Sequence, residues 1–417
     1  MAKLSKLSGT TSQPSPPDCA LTASGRSINS IFRPQPGPLA LYVHFPFCNN
    51  LCYYCDFFKV KFSEELAQRY YLALLRETEL VLSAFEQEPV EISSIYIGGG
   101  TPSLVDTDFF EKWISLVSAF CTFSSGFEFS IETNPESLTA TFAEKTFRAG
   151  ANRIIIGVQS FDEKSLKKLG RFQNSKSIYQ AFYNARMAGF KNIGIDLIFG
   201  LPGQTMKKLR HDIDRALALQ PNHISFYQLT VEPGTALEEK TNSGKVVLPD
   251  EDQQAQMYRL GSHILMDKKF ARYEISNFAP KEFRCRQNIS YWNGSPYIGL
   301  GPAAHGYIDN HRYHNISGVD TYIEMIEEGQ FPFAGIENLS REQIFTETVM
   351  LSLRRAKGID KSLLLQEYGE WALELLEGKT VAPFINDGYL EIEDNHLCLT
   401  DSGFLLADKI IEMLLYE

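Results

Sequence analysis

The sequence predicts an α/β protein built on a partial (β/α)6 TIM-like barrel and followed by a C-terminal accessory α+β domain. Three observations predict it: six short apolar runs alternate with helical spacing, chemistry-bearing motifs cluster just after those runs, and the pattern changes after Pro233-Gly234. Runs so uniformly apolar suit strands buried on both faces, as in a parallel sheet, and strands alternating with helices make βαβ units. Six units leave a barrel open on one side, with function on the loops after the strand C-termini.

The runs are LALYVHF (39–45), ISSIYIG (92–98), FEFSIET (127–133), RIIIGVQ (153–159), IGIDLIFG (193–200) and HISFYQL (223–229). Between them, helical spacing covers Glu64–Glu86, Thr107–Phe120, Ala140–Ala149, Ser175–Ala188 and Met206–Leu219. Residues 1–37 are rich in Ser, Thr, Pro and Gly, lack the apolar run of a secretory signal, and are expected to be a disordered tail. The barrel is assigned to residues 38–234. A linker and accessory region, 235–340, carries a helix near Glu251–Lys268, a strand-like ARYEIS and the Gly-rich YIGLGPAAHGY, and 341–417 reads as a helical module with a β-wing.

A net charge of −11 over 417 residues, 44% hydrophobic and 22% charged, describes a globular chain with no general attraction for nucleic acid. No apolar stretch reaches the roughly 18 residues of a membrane span. Seven cysteines, three of them within eight residues, do not form an even disulfide framework and point to a reducing, cytoplasmic setting.

Those three are Cys48, Cys52 and Cys55, which begin three residues after the first strand. One loop would gather their thiolates at the barrel mouth, and three sulfurs suit a [4Fe–4S] cluster with one iron left open. A zinc site with His44 as fourth ligand is the alternative, made awkward by the position of His44 inside the strand. Gly98-Gly99-Gly100-Thr101-Pro102 ends the second strand, where glycine allows a close backbone approach and bare N–H groups would face an anion. Glu132 ends the third strand, Gln159 the fourth, Arg171 follows in LGRF, and Asp196 lies in the fifth. A carboxylate, a guanidinium and a second carboxylate are the charge-assisted partners that the ammonium, carboxylate and ribose of a zwitterionic nucleoside need.

CxxxCxxC after the first strand, with GGGTP after the second, resembles the radical SAM superfamily. The ordered set ETNP, GVQSF, LGRF and GIDLIFGLPGQT resembles the branch that contains oxygen-independent coproporphyrinogen III oxidase and the HemW-type haem chaperones, over about residues 38–410. The resemblance implies a [4Fe–4S] cluster on the three cysteines and S-adenosylmethionine on the open iron. It implies contacts to that cofactor from Tyr42, Gly99, Gly100, Thr101, Glu132, Gln159, Arg171 and Asp196, with Tyr54 beside the cluster. It also implies haem as cargo, haem-acceptor proteins, some at the membrane, as partners, and an electron donor such as flavodoxin or ferredoxin.

Within the branch, the oxidase pattern carries a further cysteine two residues after the third, where this chain has Phe57. Arg272-Tyr-Glu-Ile-Ser-Asn-Phe-Ala, then Asn288-Ile-Ser-Tyr291-Trp292 and YIGLGPAAHG, resemble the chaperone pattern, so the accessory region is HemW-like. Two positions depart from it: Gln287 and Gln173 stand where that pattern has His. Gln is a poor ligand for haem iron, which leaves Cys285, His305, His311 and His314 as alternatives. The expectation is a haem-binding and haem-transfer protein with no catalytic residue assigned. The alternative is a true enzyme, the decarboxylating oxidase, and a third reading, an RNA-modifying enzyme, is disfavoured by the acidic balance.

Overall fold

The computed structural model describes residues 31–33, 37–85, 87–377 and 380–416. The six expected strands are β1 (Leu39–Phe45), β2 (Glu91–Gly99), β3 (Thr122–Thr133), β4 (Arg153–Gln159), β5 (Asn192–Phe199) and β6 (His223–Gln228), paired in parallel in that order. β4 is buried along its whole length and β1 at all but one position, so both faces of these strands are covered. That is why the runs read as continuously apolar rather than alternating.

Helices α1 (Glu64–Ser83), α2 (Asp108–Phe120), α3 (Ala140–Arg148), α4 (Glu163–Lys168), α5 (Ser175–Ala188) and α6 (Met206–Ala218) cover the sheet. Each buries a stripe. In α2 it is Phe109, Phe110, Trp113 and Val117, and Trp113 Nε1 donates to Thr78 Oγ1 of α1 at 2.9 Å. Each such apolar side chain contributes about 1.5–3 kcal/mol on burial, which outweighs the modest helix propensity of aromatics. The short α4 was not legible as a separate helix, and β3 starts five residues earlier than its apolar run because Thr122 and Phe123 pair with Glu91 and Ile92.

The accessory region joins the barrel sheet at both edges. After α7 (Ala236–Asn242) and α8 (Glu251–Asp267), β7 (Arg272–Glu274) and β8 (Asn277–Phe278) form a hairpin whose second strand runs antiparallel to β6. After α9 (Arg286–Trp292), β9 (Tyr297–Leu300) runs parallel to β1, and β10 (His305–Ile308), β11 (His311–Asn315) and, beyond α10 (Val319–Glu327), β12 (Phe333–Asn338) follow antiparallel. One twelve-stranded sheet results, in the order β12-β11-β10-β9-β1-β2-β3-β4-β5-β6-β8-β7.

From α11 (Arg341–Leu353) onward, short helices surround a three-stranded sheet of β13 (Ile359–Asp360), β14 (Leu390–Glu393) and β15 (His396–Leu399). The module grips the accessory region through Ile275 N to Arg354 O at 2.9 Å and Ala356 N to Tyr273 O at 3.1 Å. The expected tail falls outside the described residues except near its end, and there it departs from expectation. Ile31 and Phe32 are buried, and Phe32 packs edge-on against Phe85 and Tyr313, because four aromatic neighbours, Phe331 and Phe333 among them, offer an apolar seat.

Candidate functional site

The chain leaves β1 through Pro46 and returns as Val60–Lys61, which pairs in parallel with Phe47–Cys48. The cysteine loop between them is fastened from several sides. Tyr53 N donates to Leu169 O at 2.9 Å, Leu237 N donates to Tyr53 O at 2.8 Å, and Lys240 Nζ sits 3.3 Å from the centre of the Tyr53 ring. His44 adds a fourth tie: Nε2 donates to Phe58 O at 2.8 Å, which leaves Nδ1 to accept from the Tyr42 hydroxyl at 3.1 Å. Both ring nitrogens are thus engaged, and burial lowers the pKa of the ring. The zinc alternative loses its proposed fourth ligand.

Cys48, Cys52 and Cys55 are free thiols that line one cavity of about 420 Å³ at the C-terminal ends of the strands. Tyr54, Gly99, Gly100, Thr101, Glu132, Gln159, Arg171 and Asp196 line the same cavity. Tyr42 is the exception. It faces an adjoining, larger cavity, and its hydroxyl is spent on His44.

The cysteines suit an iron–sulfur cluster on three local grounds. Thr101 Oγ1 lies 3.6 Å from Cys48 Sγ, Arg171 Nη1 lies 3.7 Å from Cys52 Sγ, and Lys59 Nζ binds the Cys55 carbonyl. A hydroxyl and two cations beside the sulfurs favour thiolates. Burial pushes the Cys48 thiol up to about 11 and raises Cys55 as well, so metal binding must displace their protons.

The glycine loop differs from expectation. Its amides are not bare: Gly99 N donates to Glu132 Oε2 at 3.2 Å, Gly100 N to Phe45 O at 2.6 Å and Thr101 N to Phe47 O at 2.8 Å. The carbonyls of Phe45 and Phe47 lose their sheet partners as the chain turns off β1, and the loop supplies them. Glycine is required because Gly99 has φ +101° and a Cβ there would meet the His44 ring at 2.6 Å, while one on Gly100 would meet Phe47 O at 2.6 Å.

Glu132 also accepts from the Tyr96 hydroxyl at 2.6 Å, and burial pushes its carboxyl up to about 7. Asp196, likewise buried, is pushed up to about 6. Arg171 is braced: Nη2 donates to Asn134 Oδ1 at 2.7 Å and Gly157 O at 2.8 Å, and Nε donates to Gln173 Oε1 at 3.0 Å. Gln173, one of the two departures from the chaperone pattern, therefore orients Arg171 and donates to Val158 O at 2.9 Å. Gln159 holds φ +65° at the end of β4 and accepts from Tyr227 OH at 2.9 Å. Sequence reasoning missed Tyr96, Asn134 and Tyr227 as members of this network. A polar residue alternating with Ile95 and Ile97 at the end of β2 was the available signal for Tyr96.

Beside this cavity lies a larger one of about 830 Å³, walled by the barrel, the accessory region and α11–α12 (Lys361–Tyr368). Asp56, Phe57, Tyr96, Gly99 and Glu132 line both. Tyr42, Tyr291, Tyr297, Tyr307 and Tyr368 give the larger cavity an aromatic wall, and Arg312 and Arg355 give it positive charge.

A partial barrel with three thiols on the loop after its first strand, facing polar groups from the next four, defines a radical SAM protein. The Radical SAM superfamily model matches residues 42–216 and the HemN C-terminal domain model residues 339–406. The chain is 34% identical over 377 residues to the heme chaperone HemW of Bacillus subtilis, covering 90% of this chain and 99% of that one. It is 34% identical over 386 residues to the heme chaperone HemW of Mycobacterium tuberculosis, covering 92% and 96%. Among solved structures, coproporphyrinogen III oxidase HemN from Escherichia coli superposes with a TM-score of 0.80 at 23% identity, covering 93% of this chain and 92% of that one. This chain belongs to the HemW family.

Proposed function

We propose that this chain is a haem-binding chaperone that delivers haem to acceptor proteins. The observation that carries the reading is the aromatic cavity of about 830 Å³ that adjoins the cysteine cavity, with Phe57 on the shared wall. Tyrosine faces and two guanidiniums suit a flat apolar macrocycle that bears carboxylates. The exposed Phe57 ring occupies the position of the additional oxidase-type cysteine, which disfavours the decarboxylating alternative.

In this reading Cys48, Cys52 and Cys55 hold three irons of a [4Fe–4S] cluster, and Thr101 and Arg171 donate toward their sulfurs. Gly99, Gly100 and Thr101 shape the floor for the methionyl part of S-adenosylmethionine, Glu132 accepts from its ammonium and Asp196 from its ribose hydroxyls. Arg171 and Gln159 close the far side. Bound together, the cluster and cofactor supply one-electron chemistry, which here supports haem handling rather than decarboxylation. Flavodoxin or ferredoxin would be the electron donor, and the haem acceptors include proteins at the membrane. Among the described residues no helix is long and apolar enough to cross a membrane.

The test is anaerobic reconstitution followed by parallel haem titration and coproporphyrinogen III decarboxylation. Saturable haem binding without product is expected. Multiple turnovers to protoporphyrinogen IX with no saturable haem binding would overturn the reading in favour of the oxidase.

A further inference from the structure

Of the four side chains left as candidate ligands once Gln287 replaces His, only one faces the larger cavity. Cys285 is buried at the N-cap of α9, outside the cavity lining, its Sγ 3.5 Å from Glu128 Oε1. His311 is not among the residues that line the cavity, and its Nδ1 donates to the Asp309 carbonyl, 2.7 Å away. His314 lies behind His305, packed over Gly335, whose Cβ would meet its Cε1 at 2.5 Å. His305 lines the cavity, and its ring makes no hydrogen bond among the described residues.

The ring is also held. His305 and His314 are direct partners on β10 and β11, with ring centroids 5.4 Å apart and planes 24° from parallel. Partial burial, with His314 and Arg312 close by, lowers the His305 pKa. Tyr307 and Arg312 are the next paired residues on the same face, since side chains repeat every second residue along a strand. Arg312 also lines the cavity, and its buried Nε has no hydrogen-bond partner among the described residues although Nη2 donates to Glu347 at 2.7 Å. The diagonal from His305 to Arg312 spans about 7–8 Å, enough to place an iron ligand and a carboxylate partner along one flat ligand.

A third polar group faces the same space. Gln287 is fully buried and lines the cavity. Ser94 Oγ donates to its Oε1 at 2.7 Å, while Nε2, close to the Tyr291 hydroxyl, makes no hydrogen bond of good geometry among the described residues. Buried donors without partners cost free energy that an acceptor-bearing ligand would recover.

We propose that His305 is the protein ligand to the iron of bound haem in this chain, with Arg312 pairing with a carboxylate of the same macrocycle. This rests on the haem-binding reading and names its coordination. Gln287 is then a hydrogen-bond donor to the ligand's edge rather than a substitute for the missing histidine.

The experiment titrates the reconstituted full chain, and its His305→Ala, His311→Ala, Cys285→Ala and Arg312→Ala variants, with haem and with metal-free protoporphyrin, under anaerobic conditions. Absorption and resonance Raman spectra report the coordination. His305→Ala is expected to shift the Soret band, weaken haem binding about tenfold or more, and leave metal-free protoporphyrin binding unchanged, which shows an intact cavity. Added imidazole should restore the wild-type haem spectrum in that variant. Arg312→Ala should weaken both porphyrins without a change of ligand bands, and the His311 and Cys285 variants should leave those bands unchanged. An unshifted haem spectrum in His305→Ala, or a shift produced instead by His311→Ala or Cys285→Ala, overturns the assignment while leaving the chaperone reading intact. Failure of the wild-type chain to bind haem would instead remove the functional reading itself.

Discussion

The two adjoining cavities share one wall and differ in how their polar groups are used. Around the cysteines nearly every group has a partner inside the protein: Asn134 Nδ2 donates to Thr101 Oγ1 at 2.9 Å, Arg171 is bonded through each nitrogen, and Gln159 is tied to Tyr227. Around the larger space Arg312 Nε and Gln287 Nε2 are buried without hydrogen-bond partners among the described residues. The first cavity is therefore fixed before any cofactor arrives, whereas the second holds donors whose partners a ligand must bring. A resident cofactor site and a cargo site are expected to differ in this way, since cargo must also leave.

The largest effect that could break this contrast concerns the thiols. Replacing any one of Cys48, Cys52 or Cys55 by Ser should abolish the cluster, because two thiolates cannot hold it against loss to solvent. Mössbauer and EPR spectra of the reconstituted variants check this, and a stable [4Fe–4S] signal in all three would end the assignment.

Asp196→Ala sharpens the separation. It should weaken S-adenosylmethionine binding by about 1.5–3 kcal/mol, the range for hydrogen bonds to a charged group, and leave haem affinity and the cluster unchanged. Binding isotherms for both ligands decide it, and an unchanged affinity for S-adenosylmethionine would mean that the carboxylate points elsewhere.

The next effect is a pH dependence. Glu132 has its carboxyl raised to about 7 by burial, with Asp196 contributing, and only the ionised form can accept from an ammonium on both oxygens. Ionisation is complete above that pH and lost below it. Affinity for S-adenosylmethionine should therefore fall from pH 8 to pH 6, by at most about tenfold per unit for one proton. Glu132→Gln should flatten the profile, and a slope that persists in the variant would assign it to another group.

The smallest effect tests the orphan amide. Gln287→Leu removes a buried donor without a partner but leaves Ser94 Oγ unpaired, so the two contributions, each about 1–3 kcal/mol, oppose. The denaturation midpoint should change little, while haem affinity falls a few-fold. A large loss of stability with unchanged haem affinity would make Gln287 a structural residue.

Much of the cysteine cavity was legible in the chain. Cys48, Cys52 and Cys55 lie on one loop, Gly99–Thr101 on the next, and Glu132, Gln159 and Asp196 near successive strand ends, so chain order alone set their places around the mouth. The helix over Ser175–Ala188 and the strands at 39–45 and 153–159 have the expected bounds, because their caps and apolar faces are local signals. Tyr42 lines the larger of the two adjacent cavities, and its position in β1 says nothing about which of them its ring enters. The bare amides of the glycine loop were misjudged because the carbonyls that take them, Phe45 and Phe47, belong to another strand end.

The sequence by itself determined the barrel, the cluster loop and the order of the groups around it, because each depends on short-range periodicity or on spacing within a few residues. Only the tertiary structure decided that residues 272–338 extend the barrel sheet at both edges and so build a second cavity from segments far apart in the chain. Only it separated His305 from Cys285, His311 and His314. Four side chains within thirty residues are equivalent as ligands on paper, and burial and cross-strand register bring one of them to the wall of the larger cavity.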